Sequence, residues 1–490
     1  MSTEKAKPTK PRKLSSITQW DIETDVAIVG FGAAGACAAI EAADAGAEAI
    51  IFELASSSGG STALSSAEIY MGGGTRVQKA CGIEDDKEDM FKFLMMCGGK
   101  QADEAKVRAY CDGSVDHFNW LVANGMPYKD SLYNHRAIMA LTDDCLLFTG
   151  NEKAWPFKDH AKPSPRGHNL QVEGDNGGPL FTKIITEQVE KRGVRVEYEA
   201  RALTLITDDA GAVHGLIVRI NQKEHAVRAR KGVVLCAGGF VMNKEMLKKF
   251  APNISTIETP IGNPGDMGTG ILMGMGVGAA AINMNEYFVT LPFYPPAQTT
   301  LGIFVNGQGQ RFINEDCYHG RVGWHALQQP GDRIYLIIPA ENFEQPTYLF
   351  ADIAGTGETV EELESEIDVP KGMLQHTISY YNEHAARGED PLFHKDKEWL
   401  KPLEGPLAAL DCTLGRGAFW PCFTLGGLDT QPTGEVLTAE GEVIPGLYAA
   451  GRTACGIPRT GAGYGSGMSV GDASFFGRMA GKAAAARGKA

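Results

Sequence analysis

Gly30, Gly32 and Gly35 have the spacing that lets a chain wrap a pyrophosphate, and Glu53 follows at a separation suited to ribose hydroxyls. The first glycine permits a tight turn after a strand. The second lets bare backbone approach phosphate oxygens, and the third lets the next helix lie close against the strand. The free N–H groups at the start of that helix, and its dipole, then favour the phosphate charge. Glu53 can accept the ribose hydroxyls and disfavours a 2′-phosphate. With 60 glycines in 490 residues, the spacing alone would say little. Its weight comes from the flanks: the apolar run Val26 to Val29, a small-residue helix, and a second apolar run from Ala49 to Phe52 that Glu53 closes. Strand, turn, helix, strand and acid therefore arrive in the order of a dinucleotide-binding βαβ unit.

The elements that must position a bound dinucleotide recur along the chain. Gly59, Gly60, Ser61 and Thr62 form a short loop where backbone and hydroxyls can meet a second stretch of ligand. Arg195 to Leu205, Gly215 to Ile220 and His225 to Arg230 read as strands of a small meander around a turn at Asp208 to Gly211. Lys231 to Phe240 reads as a buried strand ending in Gly238 and Gly239, at the carboxyl end where such sheets take ligands. Ile444 to Gly451 repeats the pattern of turn, apolar strand and glycine. A glycine-rich loop, Gly461 to Gly467, runs into a helix predicted from Met468 to Ala486. Asp103 to Asn124 reads as an amphipathic helix, with Trp120 and Leu121 as core residues.

Composition narrows the function classes. A formal charge of −14 argues against nucleic acid or an anionic membrane as the main partner, since both reward clustered cations. The ten cysteines are scattered without a CxxC pair, which fits buried thiols in a reducing cytoplasmic setting better than disulfides. No run approaches the roughly 18 apolar residues of a membrane span, and no cluster has metal-ligand spacing. Lys5, Lys7, Lys10, Arg12 and Lys13, with two prolines among them, read as part of a disordered leader over residues 1–20.

Several motifs together carry a family likeness. The amino-terminal fingerprint with Glu53, the KGVVLCAGGF strand, GDMGTGILMGMGVGA at 265–279, FVNGQGQRFINED at 304–316, and then TLGGL, IPGLYAAG and FFGRMAG appear in one order from Asp25 to Gly481. The chain thereby resembles the FAD-dependent fumarate reductase and 3-ketosteroid dehydrogenase superfamily. That resemblance implies an α/β fold: a Rossmann-like FAD-binding domain (residues 21–281 and 421–490) interrupted by an inserted α+β capping, or catalytic, domain (282–420). It implies FAD as cofactor, held by Gly30, Gly32, Ala33, Ala34, Gly35, Glu53, Gly59, Gly60, Ser61, Thr62, Ala202, Ala237, Gly238, Gly451, Met468 and Ser469. Arg452 is expected to touch the cofactor through its backbone, and Arg311 with Glu315 to form a structural pair.

The departures from the family are more informative than the matches. Its reductases grip dicarboxylates with histidines and arginines, as a dianion requires. Here Cys422, Phe423 and Thr424 stand where those enzymes have a histidine, and Thr299 to Gly302 lack their proton-donating arginine. The position of the substrate-clamping arginine falls on Tyr464. A phenol can donate to a ketone but cannot balance two negative charges, so the expected substrate is a neutral 3-ketosteroid. The nearest pattern is that of family members oxidising 5α-3-ketosteroids at C4–C5, with an external electron acceptor that the sequence does not name. The expected roles are Tyr464 as donor to the ketone oxygen, Ser466 as acceptor of the α-proton, and Tyr318 as its relay partner.

Duller roles stand beside these. Tyr464 can pack on the flavin, Ser466 can cap the last helix, and Tyr318 can be a hinge aromatic. His319 is a reserve acid or base, expected at the surface. Tyr287, Phe288, Phe293 and Tyr294 either line an apolar slot or form ordinary core. A 1-dehydrogenase, an enoate or dicarboxylate reductase, and a flavin-binding protein without turnover are the competing readings.

Overall fold

The computed structural model describes residues 6–489. Strand β1 (Ile22–Val29) is buried along its last six residues, as a central parallel strand covered on both faces must be. It pairs in parallel with β2 (Ala49–Phe52), and β2 with β3 (Arg195–Glu197). Helix α1 (Ala33–Asp44) joins β1 to β2, which makes the expected βαβ unit. Its alanines let it lie close to the sheet and to the last helix of the chain. The predicted amphipathic helix is α2 (Glu104–Ala123), capped by the Asp103 carboxylate on the Lys106 N–H, with Leu121 buried and Trp120 partly so. Helix α3 (Gly177–Lys191) begins with two glycines pressed onto the carbonyls of Ser66 and Ser65.

The meander departs from the sequence reading in two places. Arg195 to Leu205 is split into β3 and β4 (Arg201–Thr207) by a turn in which Glu199 takes a left-handed φ of 52°. After β5 (Val213–Ile220), the stretches read as two strands are one, β6 (Lys223–Leu235), and the chain leaves the sheet at Cys236. The first half of β6 pairs antiparallel with β5, and its length from Val227 onward runs parallel to β1. A register shift between Ala229 and Gly232 marks where it changes partners. Gly232 has φ of 154° and sits against the Gly446 carbonyl and the Tyr448 ring, so the irregularity that reads as a strand end is a bulge within one strand.

The glycine-rich run before residue 280 forms α4 (Thr269–Gly276). Beyond it lies a second, antiparallel sheet of β7 (Ile303–Asn306), β8 (Ile334–Pro339), β9 (Ile353–Gly357) and β10 (Leu407–Asp411), in the order β7-β8-β10-β9. This sheet and the helices Val360–Glu366 and Met373–Ala385 share an apolar cluster of their own, including Ile303, Ile337, Leu363, Leu374 and Ile378. Arg311 and Glu315 form a buried ion pair at 2.7 Å, joined by Asp390 and Lys395. The short helix α5 (His319–Ala326) follows β7. The chain then returns to the first sheet: β11 (Glu435–Leu437) pairs with β12 (Val443–Ala449), which lies parallel to the end of β6. Helix α6 (Met468–Ala486) packs on α1.

The amino-terminal stretch differs from the expected leader. Arg12 and Lys13 pair in parallel with Ile206 and Thr207, Thr204 Oγ1 donates to the Lys10 carbonyl, and the Thr9 N–H donates to the Leu272 carbonyl. The open edge of β4 offers backbone partners that a charge-rich segment can use without burying its side chains. Lys5 and the residues before it lie outside the described residues.

Candidate active site

A cavity of about 530 Å³ opens along the carboxyl ends of β1, β2 and β6, within the size range of cofactor pockets. Gly30, Gly32, Ala33, Ala34, Glu53, Gly60, Ser61, Thr62, Ala202, Ala237, Gly238 and Gly451 line it, as do Tyr464, Ser466 and Ser469. Gly30 has φ of 100°, and a Cβ there would stand 2.4 Å from the Cys236 carbonyl oxygen. A Cβ on Gly35 would stand 1.9 Å from the Gly30 oxygen, so Gly35 acts behind the wall by letting α1 close on the strand. Gly32 differs. The nearest protein atoms to a Cβ there are 3.7 Å away, so nothing in the protein requires glycine, and its bare face fronts the cavity.

The acid at the end of β2 is held in place from both sides. Glu53 Oε2 accepts the Phe31 N–H at 2.6 Å and Oε1 accepts the Ala55 N–H at 2.8 Å, which leaves each oxygen a lone pair for a hydroxyl. Gly59 and Met468 are not on the cavity surface. The Gly59 N–H donates to the Phe31 carbonyl at 2.7 Å, and the Met468 sulfur accepts the Gly465 N–H at 3.4 Å. Both shape loops that do reach the surface. Arg452 lines the cavity with its side chain, paired with Asp266 and donating to Ser61 Oγ at 2.7 Å. Asp266 also accepts the Gly239 N–H at 3.1 Å, so this cation belongs to a ring of partners rather than facing open space.

Tyr464 is buried at the other end, where its hydroxyl donates to Ser469 Oγ at 2.9 Å. Phe288 lies 4.6 Å from its ring centroid and Phe423 5.6 Å. Desolvation in this aromatic surround raises the phenol to about 12, so it is a donor and not an anion at neutral pH. The N-cap of α6 is Gly467, in a left-handed conformation with φ of 83°, so Ser466 is not the cap and its side chain fronts the cavity. Tyr318 stands behind the cavity wall, buried at the start of α5, with its ring 6.3 Å from that of Tyr464. Asn151 ties the two tyrosines together: its Oδ1 accepts the Tyr318 N–H and its Nδ2 donates to the Tyr464 carbonyl, each at 3.0 Å.

His319 is buried rather than exposed. Its Nδ1 shares a hydrogen bond with Thr290, and burial pushes its pKa down to about 3, so the ring is neutral. Among the four aromatics, Phe288 touches Tyr464, while Phe293 packs on Phe304 and Tyr294 in the core. The Tyr287 hydroxyl meets Asn253 and Gln328.

A match to a known family spans residues 25–470, nearly the whole chain, and carries the description FAD binding domain. The chain belongs to this FAD-binding family. It is an FAD-dependent oxidoreductase. The crystal structure of a 3-ketosteroid-Δ4-(5α)-dehydrogenase from Rhodococcus jostii RHA1, in complex with 4-androstene-3,17-dione, is similar with a TM-score of 0.92 and 44% identity, over 97% of this chain and 99% of that one. A 3-oxo-5-alpha-steroid 4-dehydrogenase of Comamonas testosteroni is 27% identical, over 88% of this chain and 93% of its own length. A probable fumarate reductase of Shewanella frigidimarina is also 27% identical, over 94% of this chain and 75% of its own length. Among these relatives the FAD-binding fold is thus found both in ketosteroid dehydrogenases and in a probable fumarate reductase.

Within this FAD-binding family member, sequence reasoning missed Glu68, Asn151, Glu152 and Asp266. Glu68 lines the cavity beside Ser466 and Gly467. Its signal was a lone acid among small and apolar residues, SSAEIYMGGG, where a solvated acid would have polar company. Asn151 and Glu152 sit in an irregular loop and left no periodic trace.

Proposed function

We infer that this protein dehydrogenates a neutral 3-ketosteroid, introducing the C4–C5 double bond of a 5α-substrate. The observation that carries the reading is the pair of hydroxyls, Tyr464 and Ser466, on one cavity wall beside the acid Glu68. A dicarboxylate site needs cations there. Among the described residues, the cations lining the cavity are Arg452, paired with Asp266, and Arg201, at the end near Glu53. Phenol and serine suit a ketone, which needs a hydrogen-bond donor and no balancing charge. Similarity to the Rhodococcus enzyme along almost the full length of both chains supports the same substrate class.

In this reading the glycine wall at Gly30, Gly32, Ala33 and Ala34 takes the pyrophosphate of FAD, with Glu53 on the ribose. Gly60 to Thr62, Ala237, Gly238, Gly451 and Ser469 meet the rest of the cofactor. FAD, when bound, supplies a two-electron acceptor for a hydride from the substrate's β carbon. Tyr464 donates to the ketone oxygen and so stabilises the enolate, worth about 2.7–4 kcal/mol for one well-placed donor. Ser466 accepts the proton that leaves the α carbon, and that C–H electron pair becomes the second bond of the new alkene. The aromatic wall of Phe288 and Phe423 keeps the charged intermediate out of water. The sheet of β7 to β10 with its helices acts as the cap, over roughly 282–420.

Anaerobic mixing of the FAD-loaded protein with 5α-3-ketosteroids tests the reading. Bleaching of the oxidised flavin, with a conjugated 4-en-3-one as product, is expected, and succinate should leave the flavin oxidised. A 1-ene product would transfer the reading to the 1-dehydrogenases. Bleaching by succinate and not by steroid would overturn it.

A further inference from the structure

Glu68 precedes a short strand, Ile69–Tyr70, whose Tyr70 N–H donates to the Gly467 carbonyl at 3.0 Å, so the acid is fixed against the loop that carries Ser466. It is 2% exposed and lines the cavity, yet neither carboxyl oxygen has a hydrogen-bond partner of good geometry among the described residues. Such an orphaned acid is costly to bury. Close packing holds it there: a Cβ on Gly167 would stand 2.8 Å from its Oε1, and one on Gly467 3.3 Å from its Cγ. The Ser466 hydroxyl is the polar group that favours its charged form, while Glu152, on the loop behind, opposes it.

We propose that Glu68 is the terminal proton acceptor of the site: as Ser466 Oγ takes the α-proton of the substrate, the Ser466 hydroxyl proton passes to the Glu68 carboxylate. The inference rests on the ketosteroid reading above. One proton leaves carbon, one arrives on carboxylate, and Ser466 ends as it began; the electron pair of the broken C–H bond stays with the substrate. Glu68 acts through Ser466 and is a positioning and relay residue, not one that touches substrate.

The competing route runs through Tyr318, buried at the start of α5 with its ring 6.3 Å from that of Tyr464. Burial holds that phenol well above 10, whereas Glu68 is raised only to about 8, so the carboxylate is the acceptor whose proton affinity lies near the working pH. The groups facing Glu68 are Ser466 and Tyr464 from the last loop, Tyr318 from the start of α5, and Glu152 from the 148–152 loop. Glu152 is satisfied by the Thr149 hydroxyl at 2.7 Å and by the N–H groups of Thr149 and Gly150. The nearby Arg166 is bonded to Asp85 at 2.7 Å. Of the two acids, Glu68 is therefore the one whose carboxyl oxygens are not already taken by other donors.

The test compares FAD-loaded wild type, Glu68→Gln and Glu68→Asp by anaerobic bleaching with a 5α-3-ketosteroid across pH. Steroid affinity is read from the perturbed flavin spectrum, and the infrared carbonyl band of neutral carboxylic acids is followed in parallel. The wild-type rate should rise with pH to a plateau beyond about 8, with loss of one carboxylic acid band along the same curve. Glu68→Gln should lose that limb and that band and fall roughly 10²–10⁴-fold in rate, with steroid affinity and bound flavin unchanged. Glu68→Asp should regain part of the rate and a limb of its own. A Gln variant that keeps the limb, or stays within about threefold of wild type, overturns the relay alone. A wild type that no 5α-3-ketosteroid bleaches overturns the substrate reading, and the relay with it.

Discussion

The Tyr464 hydroxyl donates to Ser469 Oγ at 2.9 Å, in the first turn of α6. The donor proposed for the ketone is thus already aimed at the start of a helix, whose free N–H groups and dipole favour negative charge on nearby oxygens. A ketone that replaces Ser469 as acceptor would meet a phenol polarised by that helix end.

Removing that phenol should separate chemistry from cofactor retention. Tyr464→Phe is expected to slow steroid-dependent flavin bleaching by roughly 10²–10³-fold, the usual cost of one oxyanion donor. Ser469→Ala, which removes only the partner that orients the phenol, should cost about tenfold or less. Stopped-flow rates, with flavin absorbance per protein as the control, check both. A Tyr464→Phe protein that keeps a near-normal rate would mean that Tyr464 merely fills space.

Ser466→Ala leaves the backbone at Gly467 and the cap of α6 untouched, so the fold and bound FAD should survive. Turnover should fall roughly 10²–10⁴-fold, the range of a lost general base. Exchange of the substrate's α-deuterium into water should fall in parallel. Normal exchange in this variant would assign proton removal elsewhere.

The glycines of the fingerprint should fail in different ways. Gly30→Ala meets the Cys236 carbonyl oxygen at 2.4 Å with φ of 100°, and is expected to destabilise the chain by more than about 1 kcal/mol with or without FAD. Gly32→Ala has 3.7 Å of clearance from the protein, so the fold should hold while FAD affinity drops about tenfold or more. Thermal melts and FAD titration on both variants distinguish stability from affinity. A Gly32→Ala protein that binds FAD normally would contradict the phosphate role of that wall.

Glu68 should also mark the dependence of stability on pH. Burial raises its folded pKa from 4.5 to about 8, so between those values the folded chain keeps a proton that the unfolded chain has released. Its contribution to stability is therefore level below the lower value, declines as pH climbs through the window, and is level again above it. Glu68→Gln does not titrate. Its melting temperature relative to wild type should gain a few degrees across that window, the scale of about 1 kcal/mol or more. Asp472, also raised by burial, remains in both proteins and cancels in the difference. A difference independent of pH would show that Glu68 is not held neutral.

Much of the fold was legible because backbone sterics are local. Gly30 and Gly35 record a turn and a close approach that admit no Cβ, and β1 and β2 record burial on both faces as unbroken apolar runs. Helix α6 was readable through its small residues and the glycine before it. Readings failed where a partner across the sheet set the outcome, as in β6, which keeps going past Gly232 because it changes neighbours, and at Arg12 and Lys13, which a free edge recruits.

The sequence alone determined a dinucleotide wall, the acid at its end, and the presence of a phenol and a serine two residues apart on a glycine loop. Tertiary structure alone decided what stands behind them. Glu68, Asn151, Glu152 and Tyr318 come from three stretches remote from Ser466 in the chain; Glu68 packs against Gly167 and Gly467, and Asn151 ties Tyr318 to Tyr464. Conformational limits are properties of a residue and its neighbours in sequence, so glycine spacing carries them. Desolvation depends on every atom that closes over a group, so a buried acid without partners is visible only once the chain has folded around it.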